Sequence, residues 1–245
     1  MEKEYRGTWE RAAERFLSFF YPRRCPVCQE IVSPKGALIC PDCRKQVTFI
    51  EEPVCRKCGR EVNSLEQEYC SSCRMHPRSF SEGLSLMRYD EVGQKTMMAF
   101  KYQGRIEYAD WYAKEMAERL GERMERWQAD ALVPVPLYKS RQRKRGYNQA
   151  EVLAKKLAVY LGLPVRMDLL RRVRKKEAQK NLGWEARQRN LQAAMEARPL
   201  PEEVRRIILV DDIYTSGATA EACTRVLRRA GAEEVFVVTV CSVEE

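Results

Sequence analysis

Residues 206–222, RIILVDDIYTSGATAEA, run from an apolar stretch into two adjacent carboxylates and then into small hydroxyl residues around a glycine. Ile207–Val210 reads as a buried strand that delivers Asp211 and Asp212 to its C-terminal end, with a helix from Ala218 to Ala230 after it. Thr215, Ser216, Gly217, Ala218 and Thr219 make the turn between them. The N–H groups at a helix start are unpaired and sit at the positive end of the helix dipole, so this turn suits a phosphate monoester. The hydroxyls of Thr215, Ser216 and Thr219 add donors. Carboxylates repel phosphate but accept hydrogen bonds from sugar hydroxyls. The two halves together suit a phosphorylated ribose. An acidic strand end followed by a Thr/Ser helix cap is the plainer alternative; it accounts for the two acids but not for the whole string.

Outward from this stretch, strands and helices alternate. "GLSLMRY" reads as a strand, 106–127 as an amphipathic helix, "DALVPVP" as a buried strand and "QAEVLAKKLAVYLG" as a helix. A strand around "LPVRMD", a helix near 184–196 and a last strand "EVFVVTVC" complete the series. Apolar strands alternating with helices predict an α/β fold, a mostly parallel sheet with helices on both faces. Sites in such sheets lie beyond the strands' C-terminal ends. Three segments meet there: from Pro136 onward, after Leu169, and after Val210.

The first two are basic. The chain has 44 Lys and Arg against 35 Asp and Glu, and Leu137 to Asn190 alone holds 16 Lys and Arg against 4 Asp and Glu, a local +12. A regional excess of this kind points to an anionic ligand more than to a solvated surface. Lys139, Arg141, Arg143, Lys144 and Arg145 crowd what reads as a loop after the strand, dense enough in charge to hold a pyrophosphate with Mg²⁺ screening the rest. Arg171, Arg172, Arg174, Lys175 and Lys176 read as a mobile loop before a helix. The same charges suit a nucleic-acid backbone, with Tyr102, Tyr138, Tyr147 and Trp184 as stacking candidates, although each reads equally well as a core residue.

Eight of the ten cysteines form four Cys-x-x-Cys pairs: Cys25/Cys28, Cys40/Cys43, Cys55/Cys58 and Cys70/Cys73. Two such turns complete a tetrahedral thiolate shell, so four make two closed, structural zinc sites rather than catalytic ones. Sequential grouping is simplest and an interleaved cross-brace stays open; disulfides or a redox pair fit this spacing less well. Zinc then supplies folding energy that so small an apolar core lacks. Cys223 and Cys241 read as small buried residues. Ahead of the pairs, Trp9, Ala12, Ala13, Phe16, Leu17 and Phe20 have helical spacing, for a helix packed on the body or on a partner. The expected layout is an N-terminal helix at 1–22, a double zinc ribbon at 23–78 and the α/β domain at 79–245. The acidic N-terminal stretch and the lack of any run near the ~20 apolar residues of a membrane span lead us to expect a cytoplasmic protein with no membrane insertion.

"ILVDDIYTSGAT" resembles the phosphoribosyl pyrophosphate (PRPP) motif of type I phosphoribosyltransferases. The resemblance implies that Asp211 and Asp212 bind the ribose 2′- and 3′-hydroxyls and that Thr215 through Thr219 hold the 5′-phosphate. "FKYQGR" and "VPVPLYKSRQRKRGYNQAEVLAKKLA", with the cysteine pairs in front, are similar to the ComF competence proteins, a zinc-ribbon region followed by a phosphoribosyltransferase-like domain. The resemblance implies a pyrophosphate-side loop at the basic stretch, with Lys139 and Arg141 as PRPP contacts. Arg143, Lys144, Arg145, Arg171 and Arg187 are then candidates for pyrophosphate or nucleic acid, and Gln179, Arg187 and Asn190 match residues of ComF-like chains. It further implies PRPP and single-stranded DNA as ligands, a role in DNA uptake, and competence helicase or uptake-channel proteins as partners. The alternative is an active Mg²⁺-dependent transferase moving phosphoribose to an unknown acceptor. A transcription-type zinc ribbon with an appended domain leaves the phosphate loop unexplained.

Overall fold

The computed structural model describes residues 22–173 and 190–244. The expected helix over the first residues, and Arg174, Gln179, Trp184 and Arg187, lie outside the described residues. The chain divides into two compact units, Met1–Val47 and Thr48–Glu245.

In the first unit Cys25, Cys28, Cys40 and Cys43 converge, their sulfurs all within 4.8 Å of one another. The knuckle turn is closed by Cys25 N–H donating to Glu30 O at 2.8 Å and Gln29 N–H to Cys25 O at 3.0 Å. In the second pair Cys40 caps a short helix, α1 (Pro41–Arg44), and Cys43 lies within it.

The second unit opens with the same device thirty residues on. Cys55, Cys58, Cys70 and Cys73 converge in turn, with Cys55 N–H donating to Arg60 O at 2.7 Å and Gly59 N–H to Cys55 O at 2.9 Å. In the last pair Cys70 caps helix α2 (Ser71–Met75) and Cys73 lies within it. Gly59 has φ +67°, and a Cβ there would lie 2.3 Å from Gly83 O, so only glycine lets this knuckle lie against the sheet.

After it come β1 (Gly83–Arg88), α3 (Glu91–Tyr102), α4 (Tyr108–Arg126), β2 (Ala131–Pro134), α5 (Lys139–Arg145) and α6 (Gln149–Leu161). The chain then forms β3 (Leu170–Arg172), β4 (Met195–Ala197), β5 (Arg206–Tyr214), α7 (Ala218–Arg229) and β6 (Glu234–Ser242). The main sheet has the order β1-β6-β5-β2 and every pairing in it is parallel. Its strands are buried on both faces, which is why they read as continuous apolar runs. Ala131, Val133, Ile207, Leu209, Val235 and Val237 share one buried cluster with Cys223 and Leu227 of α7 and with the second cysteine group. On the other face α4 and α6 pack together, α6 against β2 and β5 and α4 against β1. The expected parallel α/β fold is what the chain forms.

Four local expectations are corrected. The strand around "LPVRMD" is reduced to one bridge of Val165 to Leu132, because Pro164 and the turn at Asp168 leave no room for more. The basic loop after β2 is helix α5: Lys, Ser, Arg and Gln in succession have no strand or turn chemistry, and most are good helix formers. Arg171 and Arg172 belong to β3, paired antiparallel with β4, rather than to a mobile loop. The expected helix ending near 196 gives way by Met195 to strand β4, where Met195 and Leu170 are buried together. Helix α3, capped by Asp90 accepting from Gly93 N–H at 2.9 Å, had no sequence expectation attached to it.

Candidate phosphoribose site

β2 stops at Pro134, opposite Val210 of β5, while β5 continues to Tyr214 beside β6. Past that point, among the described residues, only Val135 N–H still reaches β5 on this side, donating to Val210 O at 2.9 Å. Among the described residues, Asp211 and Asp212 therefore occupy a length of strand with no paired neighbour on the β2 side, at the C-terminal edge of the sheet where the sequence pattern predicts a site.

The acids differ in surroundings. Asp211 accepts a hydrogen bond from Asp212 N–H at 2.8 Å. Burial, aided by the Asp212 charge, pushes the Asp211 carboxyl up to about 7, against the opposing pull of that hydrogen bond, Lys101 and Arg172. Asp212 instead meets a cation, with Lys101 Nζ 2.9 Å from Oδ1 and both side chains mostly buried. Lys101 lies in the last turn of helix α3. Its sequence context in "FKYQGR", a lone lysine between aromatic residues, carries no sign of this role.

Beyond β5, Thr215 and Ser216 lead to Gly217, whose φ of +73° starts α7. A Cβ on Gly217 would lie 2.2 Å from the Tyr214 hydroxyl, so the loop rests on that ring. Among the described residues, the N–H groups of Ser216 and Gly217 donate to no protein group. Asp211, Thr215, Gly217 and Thr219 line one small cavity of about 20 Å³ above Thr239 and Val237 of β6. Asp211 is thus brought together with three of the five loop residues, whereas Asp212, Ser216 and Ala218 do not line this cavity and Asp212 faces Lys101.

The basic residues fall into two groups. Lys139, Arg141, Arg143 and Lys144 are exposed on α5. Arg145 is half-buried: its guanidinium donates to Gln149 Oε1 and to Tyr102 Oη, each at 2.9 Å, and lies 4.7 Å from the Tyr102 ring centroid. That contact ties α5 to the end of α3, one residue from Lys101. Arg171 pairs with exposed Glu196 at 2.6 Å. Its neighbour Arg172 lies 3.9 Å over the Tyr138 ring at the entry to α5 and is close enough to Asp211 to oppose its protonation. Tyr147 donates to Phe100 O and packs at 6.0 Å from the Phe100 ring, a structural position rather than an open platform. Asn148 caps α6, accepting from Ala150 N–H at 3.1 Å while its amide donates to Val135 O at 3.0 Å. Both residues fix the β2–α6 connection beside the notch.

Each cysteine group offers four sulfurs and no open position, which fits a structural Zn²⁺ ion in each, grouped sequentially. Residues 16–74 match the double zinc ribbon domain family and residues 143–245 the phosphoribosyl transferase domain family. Competence protein F of Haemophilus influenzae is 38% identical over 44% of this chain and 48% of its own length. The chain is a ComF homologue. Competence protein ComFC of Bacillus subtilis is 28% identical over 60% of this chain and 58% of its own. DNA utilization protein YhgH of Salmonella typhi is 36% identical over 46% and 49%. The chain spans about half the length of the curated relatives it matches. Among solved structures, a purine phosphoribosyltransferase of Pyrococcus horikoshii overlays with a TM-score of 0.36 and 16% identity, over 54% of this chain and 73% of that one. That likeness is too loose to bear on function. Among the described residues no helix is long and apolar enough to cross a membrane.

Proposed function

We propose that this ComF homologue binds PRPP at the notch beyond β2 and single-stranded DNA along the basic surface of α5, and that it acts in DNA uptake. The observation that carries the reading is the junction of two acids on an open strand flank with a glycine-hinged helix start. Asp211 and Asp212 accept the ribose hydroxyls, and the free N–H groups of Ser216 and Gly217 with the hydroxyls of Thr215 and Thr219 take the 5′-phosphate. Lys101 then has two roles: it neutralises Asp212 when no ligand is bound, and it offers charge to the pyrophosphate when one is. A Mg²⁺ ion carried in on the pyrophosphate would supply further charge neutralisation beside Lys101. The names of the relatives, competence protein and DNA utilization protein, support the DNA role, as do Lys139, Arg141, Arg143 and Lys144 exposed on one short helix.

The presence of both acids and the nearby Lys101 favours one second reading, an active transferase. There the bond from ribose C1 to pyrophosphate breaks as an acceptor nucleophile bonds to C1, and pyrophosphate leaves with Mg²⁺. Two assays separate the readings. Single-stranded DNA should bind the full chain with an affinity that PRPP changes and that charge reversal at Arg141, Arg143 and Lys144 weakens. DNA binding indifferent to those reversals overturns the DNA role. Pyrophosphate release from PRPP with nucleobases or nucleic acids present would establish the transferase, and its absence with every acceptor leaves the binding reading alone.

A further inference from the structure

The phosphate loop is held from behind by the second zinc ribbon. Arg60 and Arg78 are both buried. Arg60 follows the first cysteine pair of that ribbon, and its backbone carbonyl closes the knuckle turn at Cys55. Its guanidinium donates to Thr215 O and lies 5.6 Å from the Tyr214 ring centroid. Arg78 follows the second pair; one of its nitrogens donates to Ser72 Oγ at 2.8 Å, between Cys70 and Cys73, and to Ser216 O at 2.9 Å. Next to it Ser79 donates from its N–H at 2.7 Å and its hydroxyl at 2.6 Å to Glu221, a buried carboxylate in the first turn of α7. The ribbon thus grips both carbonyls of the loop and the helix that follows.

These contacts determine where the loop's donors point. In a trans peptide the C=O and N–H project in opposite directions. Drawing the carbonyls of Thr215 and Ser216 back to the ribbon turns the N–H groups of Ser216 and Gly217 away from it, as free donors. A guanidinium on each carbonyl also polarises the peptide and strengthens its N–H as a donor. Among the described residues, Arg60 Nε is buried with no hydrogen-bond partner, so that cation is incompletely compensated until an anion arrives nearby.

We infer that Arg60 and Arg78 are positioning residues that couple the second zinc site to the loop, so that Zn²⁺ on Cys55, Cys58, Cys70 and Cys73 and a 5′-phosphate on residues 215–219 raise each other's affinity. The inference rests on the reading that this loop takes the 5′-phosphate. Coupling of this kind is reciprocal, and two-site couplings typically amount to about 5- to 150-fold.

The test uses the full zinc-loaded chain with ribose 5-phosphate and inorganic pyrophosphate as separate probes. Arg60→Met and Arg78→Met should each weaken ribose 5-phosphate by about fivefold or more while leaving pyrophosphate binding unchanged, and Arg78→Lys, which keeps a donor and the charge, should recover most of the loss. In wild type, saturating ribose 5-phosphate should raise the zinc-chelator concentration needed to expose Cys55, Cys58, Cys70 and Cys73 to alkylation, leaving that for Cys25, Cys28, Cys40 and Cys43 unchanged. The alkylation arm stands even where a variant fails to fold. Variants that bind ribose 5-phosphate as wild type does, or lose both probes equally, overturn the coupling, as does equal protection or no protection of the two cysteine groups. Failure of wild type to bind ribose 5-phosphate at all overturns the underlying reading, and the coupling with it.

Discussion

At Asp211 the folded chain holds a proton that an ordinary carboxyl gives up near 3.8, because burial pushes this group up to about 7. The unfolded chain has released that proton by pH 5, so the contribution of Asp211 to stability falls as pH rises from about 4 to 7. A ribose hydroxyl donates to the ionised form, so binding the sugar below pH 7 expels the proton. We expect PRPP affinity to rise between pH 6 and pH 8 with net proton release, measured by calorimetry in buffers of different ionisation enthalpy. Asp211→Asn should lose this component, whereas an unchanged proton balance in that variant contradicts it. Lys101 gives a second test at this scale. Lys101→Met leaves Asp212 without its partner at 2.9 Å and removes a cation from the pyrophosphate side. Pyrophosphate affinity in an equilibrium titration should fall by about tenfold, the equivalent of roughly 1.4 kcal/mol.

The turn from β5 into α7 depends on one residue without a side chain. Gly217→Ala puts a Cβ in the left-handed region, about 1–2 kcal/mol by itself, and 2.2 Å from the Tyr214 hydroxyl. Thermal melting should show that loss or more, and Tyr214→Phe in the same chain should recover part of it by removing the oxygen. The β5–α7 element was legible in the sequence because its chemistry is local: apolar run, acids, hydroxyls and glycine stand within fifteen residues. The cysteine groups were legible for the same reason, since each ligand set is a pair of tight turns. Helix α5 was not, because arginine and lysine in a row give no apolar period and the reading fell back on charge. The grip of Arg60 and Arg78 on the loop was not legible either, because its partners stand 155 and 138 residues apart and neither arginine differs in sequence context from a solvated one. Lys101 was hidden in the same way, as its meeting with Asp212 exists only once α3 folds back over the sheet.

Over the whole molecule, the charges and the metal act as separate supports. Among the described residues no ion pair joins Lys139, Arg141, Arg143 or Lys144 to Asp211 or Asp212, whose cation partner is Lys101, so DNA affinity and PRPP affinity should respond differently to salt. Each cation in contact with a single-stranded backbone adds about 0.7 to the slope of log affinity against log salt. Glutamate at Arg141, Arg143 and Lys144 should lower that slope by about 2 in anisotropy titrations, and an unchanged slope would remove α5 from the DNA surface. The second cysteine group shares a buried cluster with the sheet and α7, so zinc loss there should melt part of the α/β core as well as the ribbon. Phosphate loop, acids, basic helix and ribbon all bear on one claim, that the notch beyond β2 is a cradle for phosphorylated ribose. Calorimetric titration of Mg²⁺–PRPP into wild type and into Asp211→Asn/Asp212→Asn tests it most directly. The account predicts one site per chain in wild type and at least about a hundredfold loss in the double variant, from two charge-assisted hydrogen bonds at roughly 1.5–3 kcal/mol each. No heat with wild type, or equal affinity in the two proteins, would contradict it.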